Sequence, residues 1–267
     1  MTKKIDLLII DPQVDFCDPN GALFVPGADA DMKHLADFIK KIGKNIHDIH
    51  VTLDSHHCMD IAHPIFWKDQ KGNNPAPFTT ITAQEVEAGQ WTTAIPGLTK
   101  KGLNYVRELN NNGRYPLVIW PYHCLIGSAG HQVDPELFEA LLQWEMEELA
   151  QINYVTKGSN IYTEHYSAVQ ADVPDPSDPS TQINTGLIQT LEEADIILVA
   201  GEAGSHCLAN TVRDIANNFS DAKYVEKITL LKDATSPVPG FETLQEDFIK
   251  EMTGRGMKIT ETTNFAV

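Results

Sequence analysis

The segment GEAGSHCLANT (201–211) sets Cys207 in a turn of small residues, between an apolar run, DIILVA (195–200), and a helix-like segment, CLANTVRDIANN. A nucleophilic cysteine needs thiolate character, supplied by a helix N-terminus, a nearby cation or a base. Ala203, Gly204 and Ser205 permit a tight turn. The free N–H groups of a helix beginning at Cys207 would favour an anion there, and would equally serve the oxyanion of a tetrahedral intermediate. Taken alone, the pattern fits a small buried thiol at a strand–helix junction just as well. Two further residues shift the balance. Asp11 follows the run IDLLII (5–10), and Lys157 follows INYVT (152–156). Asp-Pro is a common turn opener and a lone lysine is commonly a surface charge, so neither speaks by itself. Together, carboxylate, ammonium and thiol make a complete set for acyl transfer: the acid takes the thiol proton, the lysine supplies positive charge, and the thiolate attacks a carbonyl.

A second group has the composition of a metal site. In VTLDSHHCMDIAHP, Asp54 and His56 stand at i and i+2, so in an extended segment their side chains point the same way. His123 in WPYHC follows the apolar run PLVIW (116–120) and offers a third ligand. Imidazole and carboxylate donors suit zinc, iron or manganese, with an open position left for water or substrate. His57 and His63 stand nearby as further candidates. Histidines are common in loops, and Asp-x-His alone is a weak signal.

These residues need a scaffold that brings distant segments together. The chain has 267 residues, enough for one large domain or two small ones with a sizeable core. Its 37 acidic against 20 basic side chains, a net charge of −17, argue against nucleic-acid binding, which needs a basic face. The N-terminal MTKKIDLLIIDPQ has a short apolar run closed by Asp11 with no cleavage-site pattern, and no segment reaches the ~20 apolar residues of a membrane span. Cys17, Cys58, Cys124 and Cys207 show no paired spacing that would mark a disulfide framework. A cytoplasmic protein is expected.

Short apolar, β-branched runs at 5–10, 49–53, 116–120, 152–156, 195–200, 227–231 and 257–260 alternate with amphipathic segments at 29–45, 135–151, 183–193, 207–219 and 241–254. Near-continuous apolar strands indicate burial on both faces, and the alternation predicts an α/β fold with a mostly parallel sheet and helices on both faces. Ligand sites in such sheets lie beyond the C-terminal strand ends. Asp11, Asp54, His123, Lys157 and Cys207 follow the first five runs in turn. Residues 68–115, rich in Asn, Gly and Pro, with a helix expected near 98–110, read as an insertion holding little core; 171–182 reads as a surface loop.

At this point the chain resembles the isochorismatase-like cysteine hydrolases, and within them the nicotinamidases. The matching segments are DPQVDFCDPNGALFVPG (11–27), TLDSHH (52–57), WPYHCLIGSAGH (120–131), VTKG (155–158) with YSAV (166–169), and GEAGSHCLANTVRDI (201–215), in the family's order. The resemblance implies one hydrolase domain over 1–267 with an insertion at about 68–115, built as a Rossmann-like three-layer sandwich around a six-stranded sheet. It implies an Asp11–Lys157–Cys207 triad, and metal ligands Asp54, His56 and His123 with His63 approaching the ion. Phe16 and Trp120 would line the slot for the substrate ring. A cis Glu202–Ala203 bond would aim the Ala203 and Cys207 N–H groups at the oxyanion. The implied activity is metal-dependent hydrolysis of nicotinamide to nicotinate and ammonia through a thioester, a step of NAD salvage. The cofactor would be a divalent metal, zinc foremost and iron or manganese as alternatives, in a homo-oligomer acting on a small-molecule amide. Alternatives are a cysteine hydrolase of another small amide or carbamoyl compound, and a catalytically silent binding protein. The chain departs from the family in reading Asp54-Ser55-His56-His57 where the family often has a Trp and a Pro, and in a longer interval from His56 to His123.

Overall fold

The computed structural model describes residues 3–113 and 115–266. In chain order the first part comprises β1 (Ile5–Ile10), α1 (Val14–Cys17), α2 (Ala28–Ile42) and β2 (Asp48–Asp54). The middle part comprises β3 (Trp67–Asp69), β4 (Thr80–Ile81), α3 (Ala83–Glu87), β5 (Trp91–Thr93), α4 (Thr99–Asn112) and β6 (Leu117–Val118). There follow α5 (Pro135–Glu148), β7 (Asn153–Lys157), α6 (Thr185–Glu193) and β8 (Ile196–Gly201). The chain closes with α7 (Cys207–Asn218), β9 (Ile228–Leu231), α8 (Glu242–Gly254) and β10 (Lys258–Thr260). The five amphipathic segments expected to be helical are α2, α5, α6, α7 and α8.

Six strands form one sheet in the order β10-β9-β8-β1-β2-β7, with every pairing parallel. All six residues of β1 are buried, which is why IDLLII reads as an almost unbroken apolar run. Its odd positions, Ile5, Leu7 and Ile9, pack with α2 and α5 through Met32, Leu35, Phe38, Leu137 and Leu141. Its even positions Leu8 and Ile10 face the opposite layer, where α4, α6, α7 and α8 supply Val106, Leu191, Val212 and Phe248. This is the three-layer α/β architecture expected from sequence. The strand order reverses at β1, which has β2 on one side and β8 on the other. At such a reversal the connections diverge to opposite faces and leave a crevice beyond the strand ends. Asp11 and Cys207 enter the chain at the two lips of that crevice.

Two expectations are corrected. The run PLVIW does not join the sheet; only Leu117 and Val118 form a ladder, antiparallel to Thr80 and Ile81. Pro116 and Pro121 bracket the run and lack donors. The Ile119 and Trp120 amides donate to the carbonyls of Thr79 and Ala62 instead. The place beside β2 goes to β7, in the register Asp54↔Lys157. Second, the region read as holding little core, 68–115, contributes Ile81, Val86, Tyr105, Val106 and Leu109 to the main apolar cluster, where they join Trp67 just before it. Trp67 is fully buried and its indole N–H donates to the Ile61 carbonyl at 2.7 Å.

Gly201 joins the fold to the site. It is the register partner of Ile10, with φ of 104°, and a Cβ there would meet the Ile10 carbonyl oxygen at 2.1 Å. The obstacle is backbone, which cannot swing aside. Gly201→Ala is therefore expected to destabilise the chain by at least about 2 kcal/mol, combining a strained φ with overpacking, and to lower Tm by at least about 4 °C. Gly97→Ala, where a Cβ meets nothing within 4 Å, should change stability by less than about 0.5 kcal/mol. Equal Tm values for the two variants in a thermal melt would contradict this account.

Candidate active site

The ends of β1, β2, β7 and the β8–α7 turn converge on one buried ammonium. Lys157 is the last residue of β7, and its side chain is 1% exposed. Its Nζ lies 2.8 Å from Asp11 Oδ2, 3.0 Å from Asp54 Oδ1 and 3.7 Å from Cys207 Sγ. Asp11, just past β1, has φ of 42°, a left-handed conformation that aspartate tolerates better than most residues. Thr52 on β2 fixes it from both sides: Thr52 Oγ1 accepts from the Asp11 amide at 3.0 Å and donates to Asp11 Oδ1 at 2.5 Å. Cys207 opens α7, as the sequence pattern suggests, and the Glu202–Ala203 peptide ahead of it is cis. Among the described residues, neither the Ala203 nor the Cys207 amide is spent on a backbone hydrogen bond.

The electrostatics follow from burial and pairing. Burial alone would push the Lys157 ammonium down, but the Asp11 and Asp54 carboxylates reverse this and hold it well above the usual lysine range. Burial raises the Asp11 carboxyl above its ordinary value, with the Asp54 charge adding to the effect and Lys157 opposing it. Burial likewise pushes the Cys207 thiol well up, against the pull of Lys157. The thiol is thus neutral beside a carboxyl made more basic than usual, an arrangement suited to proton transfer from sulfur to Asp11 as a bond forms.

Beside this assembly, Asp54, His56 and His123 bring one donor atom each to within 4.8 Å of one another. Asp54 Oδ2 lies 3.0 Å from His56 Nε2 and 3.4 Å from His123 Nε2. The other ring nitrogens are anchored: His56 Nδ1 on Asp60 at 3.1 Å, His123 Nδ1 on the Pro121 carbonyl at 2.8 Å. His63 repeats the pattern, with Nδ1 3.1 Å from the His57 carbonyl oxygen and a fully buried Nε2 that has no hydrogen-bond partner among the described residues. Burial, then the neighbouring His123, lowers the His63 pKa to about 4, so its ring is neutral. Its ring centre is 5.2 Å from that of His56 and 5.5 Å from that of His123. In His56 and His123, an anchored Nδ1 with Nε2 turned toward Asp54 is the usual preparation of an imidazole for a metal, with His63 standing beside them. The donor set fits a divalent ion.

A narrow cavity opens over both centres. Phe16, Trp120, Asp54, His123, Ala203 and Cys207 all line it, so the expected ring-slot residues, oxyanion amides, thiol and two metal-site residues share one space.

No family model matches the sequence. Over 234 residues, 87% of this chain and 88% of the relative, it is 25% identical to the nicotinamidase of Saccharomyces cerevisiae. The solved structure of yeast nicotinamidase superposes with a TM-score of 0.65 at 19% identity, covering 96% of this chain and 99% of that one. The chain is nicotinamidase-like in sequence and in fold. The pyrazinamidase of Pyrococcus horikoshii, solved in complex with zinc, superposes with a TM-score of 0.56 at 20% identity, over 97% of this chain and 99% of that one.

Sequence reasoning missed several residues of this site. Gln13 ties β2 to the loop after β1, its amide donating to the Asp54 carbonyl at 2.8 Å while its Oε1 accepts from the Asp54 amide at 2.7 Å. Thr52 is two residues before Asp54, so the strand period itself places the two on one face. Glu164 and Tyr166 line the cavity; burial raises the Glu164 carboxyl to about 8, and Tyr166 accepts from the Trp120 indole at 3.0 Å. His206, adjacent to the thiol in sequence, is stacked on Tyr115 with ring centres 5.4 Å apart. Burial lowers its pKa to about 4, so it forms a neutral wall and not the base.

Behind the turn that leads into Cys207, the fully buried Glu202 carboxyl accepts from the Ser236 amide at 3.1 Å, and the Ser236 hydroxyl donates to Asp31 at 2.5 Å. Burial, then the neighbouring Asp31 charge, raises the Glu202 carboxyl well above 4.5. An acid so shifted keeps its proton after the unfolded chain has released its own, so stability falls as pH climbs above about 4.5. Glu202→Gln removes that loss. Calorimetry at about pH 5 and pH 8 should show its Tm, relative to wild type, moving upward with pH. A difference that is flat, or that shifts downward, contradicts the burial of this carboxyl as the cause.

Proposed function

We propose that the chain hydrolyses nicotinamide to nicotinate and ammonia through a thioester on Cys207. The observation that carries this reading is the contact of Lys157 with Asp11, Asp54 and Cys207 beneath a cavity walled by Phe16 and Trp120. As Sγ attacks the carboxamide carbon, the thiol proton passes to Asp11. The oxyanion that forms faces the Ala203 and Cys207 amides, donors of a kind worth about 3 kcal/mol each in acyl transfer. Asp11 returns the proton to nitrogen, ammonia departs, and the nicotinoyl group stays on sulfur. Asp11 then takes a proton from water as it attacks the thioester, and returns it to Sγ as nicotinate leaves. Lys157 stays charged throughout and balances the negative charge that moves between Asp11 and sulfur.

Asp54, His56 and His123, with His63 at hand, would hold the divalent ion. Three imidazoles and a carboxylate favour zinc over magnesium or calcium. When bound, the ion supplies a Lewis-acid anchor for the pyridine nitrogen. The rest of the proposed binding belongs to the chain: Phe16 and Trp120 hold the ring, and residues 68–115, an insertion within one hydrolase domain over 1–267, support the Trp120 side of the slot.

An ammonia-release assay tests the reading. Cys207→Ala should lower turnover of nicotinamide by at least about a thousandfold with the fold intact by circular dichroism. Residual turnover within tenfold of wild type would overturn it. Stripping divalent ions with a chelator, followed by desalting, should cut the rate at least tenfold, with zinc restoring it. A rate that survives metal removal, verified by elemental analysis, would remove the ion from the proposal and leave the thiol chemistry standing.

A further inference from the structure

At the opposite end of the sheet, the starts of β1 and β2 place two aspartates side by side. Asp6 and Asp48 are register partners on these adjacent parallel strands. Like charges directly opposite one another on neighbouring strands repel, so a cation is called for between them. His47 reaches that point. Its backbone amide is held by the Ile5 carbonyl at 2.7 Å, and its Nδ1 lies 2.8 Å from Asp48 Oδ2 and 3.5 Å from Asp6 Oδ1. One donor atom from each of Asp6, His47 and Asp48 falls within 4.8 Å of the other two.

We propose that Asp6, His47 and Asp48 form a second divalent-cation site, for a zinc-class ion, at the end of the sheet remote from Cys207. Two donors bound to one such ion at about 2.1 Å lie about 3.0–3.4 Å apart, and the observed 2.8 and 3.5 Å bracket that spacing. The independent sign of a ligand is Asp6 itself. It is 2% exposed, the second residue of an otherwise apolar strand, and its Oδ1 has no hydrogen-bond partner among the described residues. A buried carboxylate oxygen left in this state is costly unless something else binds it.

A second histidine, this one buried, lies behind Asp6. His50, also 2% exposed, accepts at Nδ1 from the Asn153 side chain at 3.0 Å. That leaves its Nε2 proton facing Asp6 Oδ2 at 3.7 Å. On the open side, the side chains of His47 and Asp48 are 45% and 40% exposed, so an ion can enter from solvent and keep water in its remaining positions. Lys4, close by in sequence, turns its ammonium toward Glu193 at 3.8 Å. Asp11 lies five residues on from Asp6, about 16 Å along the strand, so the site is distinct from the one at the thiol. A bound ion would clamp β1 to β2, with β7 joined through His50 and Asn153.

The test counts ions. Wild type, His47→Ala and Asp48→Asn are stripped with a chelator, dialysed against excess zinc, desalted, and analysed for zinc per chain. Both replaced side chains are half-exposed, so the fold is retained, and a thermal melt checks this. Each variant is expected to retain one equivalent fewer than wild type, with ammonia release from nicotinamide unchanged where wild type shows it. Equal zinc content in all three proteins overturns the proposal and leaves His47 as an ion-pair partner of the two aspartates. Because the readout is a difference in bound zinc, it stands whether or not nicotinamide proves to be the substrate.

Discussion

The site depends on keeping one ammonium buried. A lysine enclosed by protein loses several kcal/mol of hydration, and only well-placed carboxylates return it. Asp11 and Asp54, 2.8 and 3.0 Å away, do so at the ends of two different strands. Removing one partner from a buried pair costs about 3–5 kcal/mol because the other charge is stranded. The assembly therefore constrains the fold: β1, β2 and β7 must end level, and β8 must deliver Cys207 to the same height. Gly201, pressed against Ile10, makes the last adjustment possible.

The same ammonium joins two kinds of chemistry. One Asp54 oxygen faces Lys157 and the other faces His56 and His123. A single carboxylate thus belongs at once to the proton-transfer group and to the candidate ion site. Burial alone would raise the Asp54 carboxyl, yet His56 and Lys157 hold it well below its ordinary value, so it stays ionised. Asp11, with fewer positive neighbours, is pushed the other way. Two carboxylates on one lysine are in this way separated, one held ionised and the other made more basic.

Much of this could be read from the chain because parallel strands buried on both faces appear as apolar runs, and their C-terminal ends are where ligands gather. Asp11, Asp54, Lys157 and Cys207 each follow or end such a run, and the structure brings all four together. His123 was legible as a residue but not as a position: it follows a run flanked by prolines whose hydrogen bonds go to residues 62 and 79 and not to the sheet. Gln13, Glu164 and Tyr166 were not legible, since their roles depend on contacts between segments far apart in sequence. Asp6 and His50 were hidden for the opposite reason. Each sits in an apolar run that explains its burial but gives no hint of its neighbour across the sheet.

The central claim is that an acyl group passes through sulfur, and hydroxylamine partitioning tests it most directly. Added during turnover of nicotinamide, hydroxylamine should intercept the thioester and yield nicotinohydroxamate at the expense of nicotinate, while ammonia release keeps its rate. The hydroxamate should vanish in Cys207→Ala. Nicotinate as the sole product at every hydroxylamine concentration, with undiminished ammonia release, would mean that water attacks the amide directly and would contradict the account.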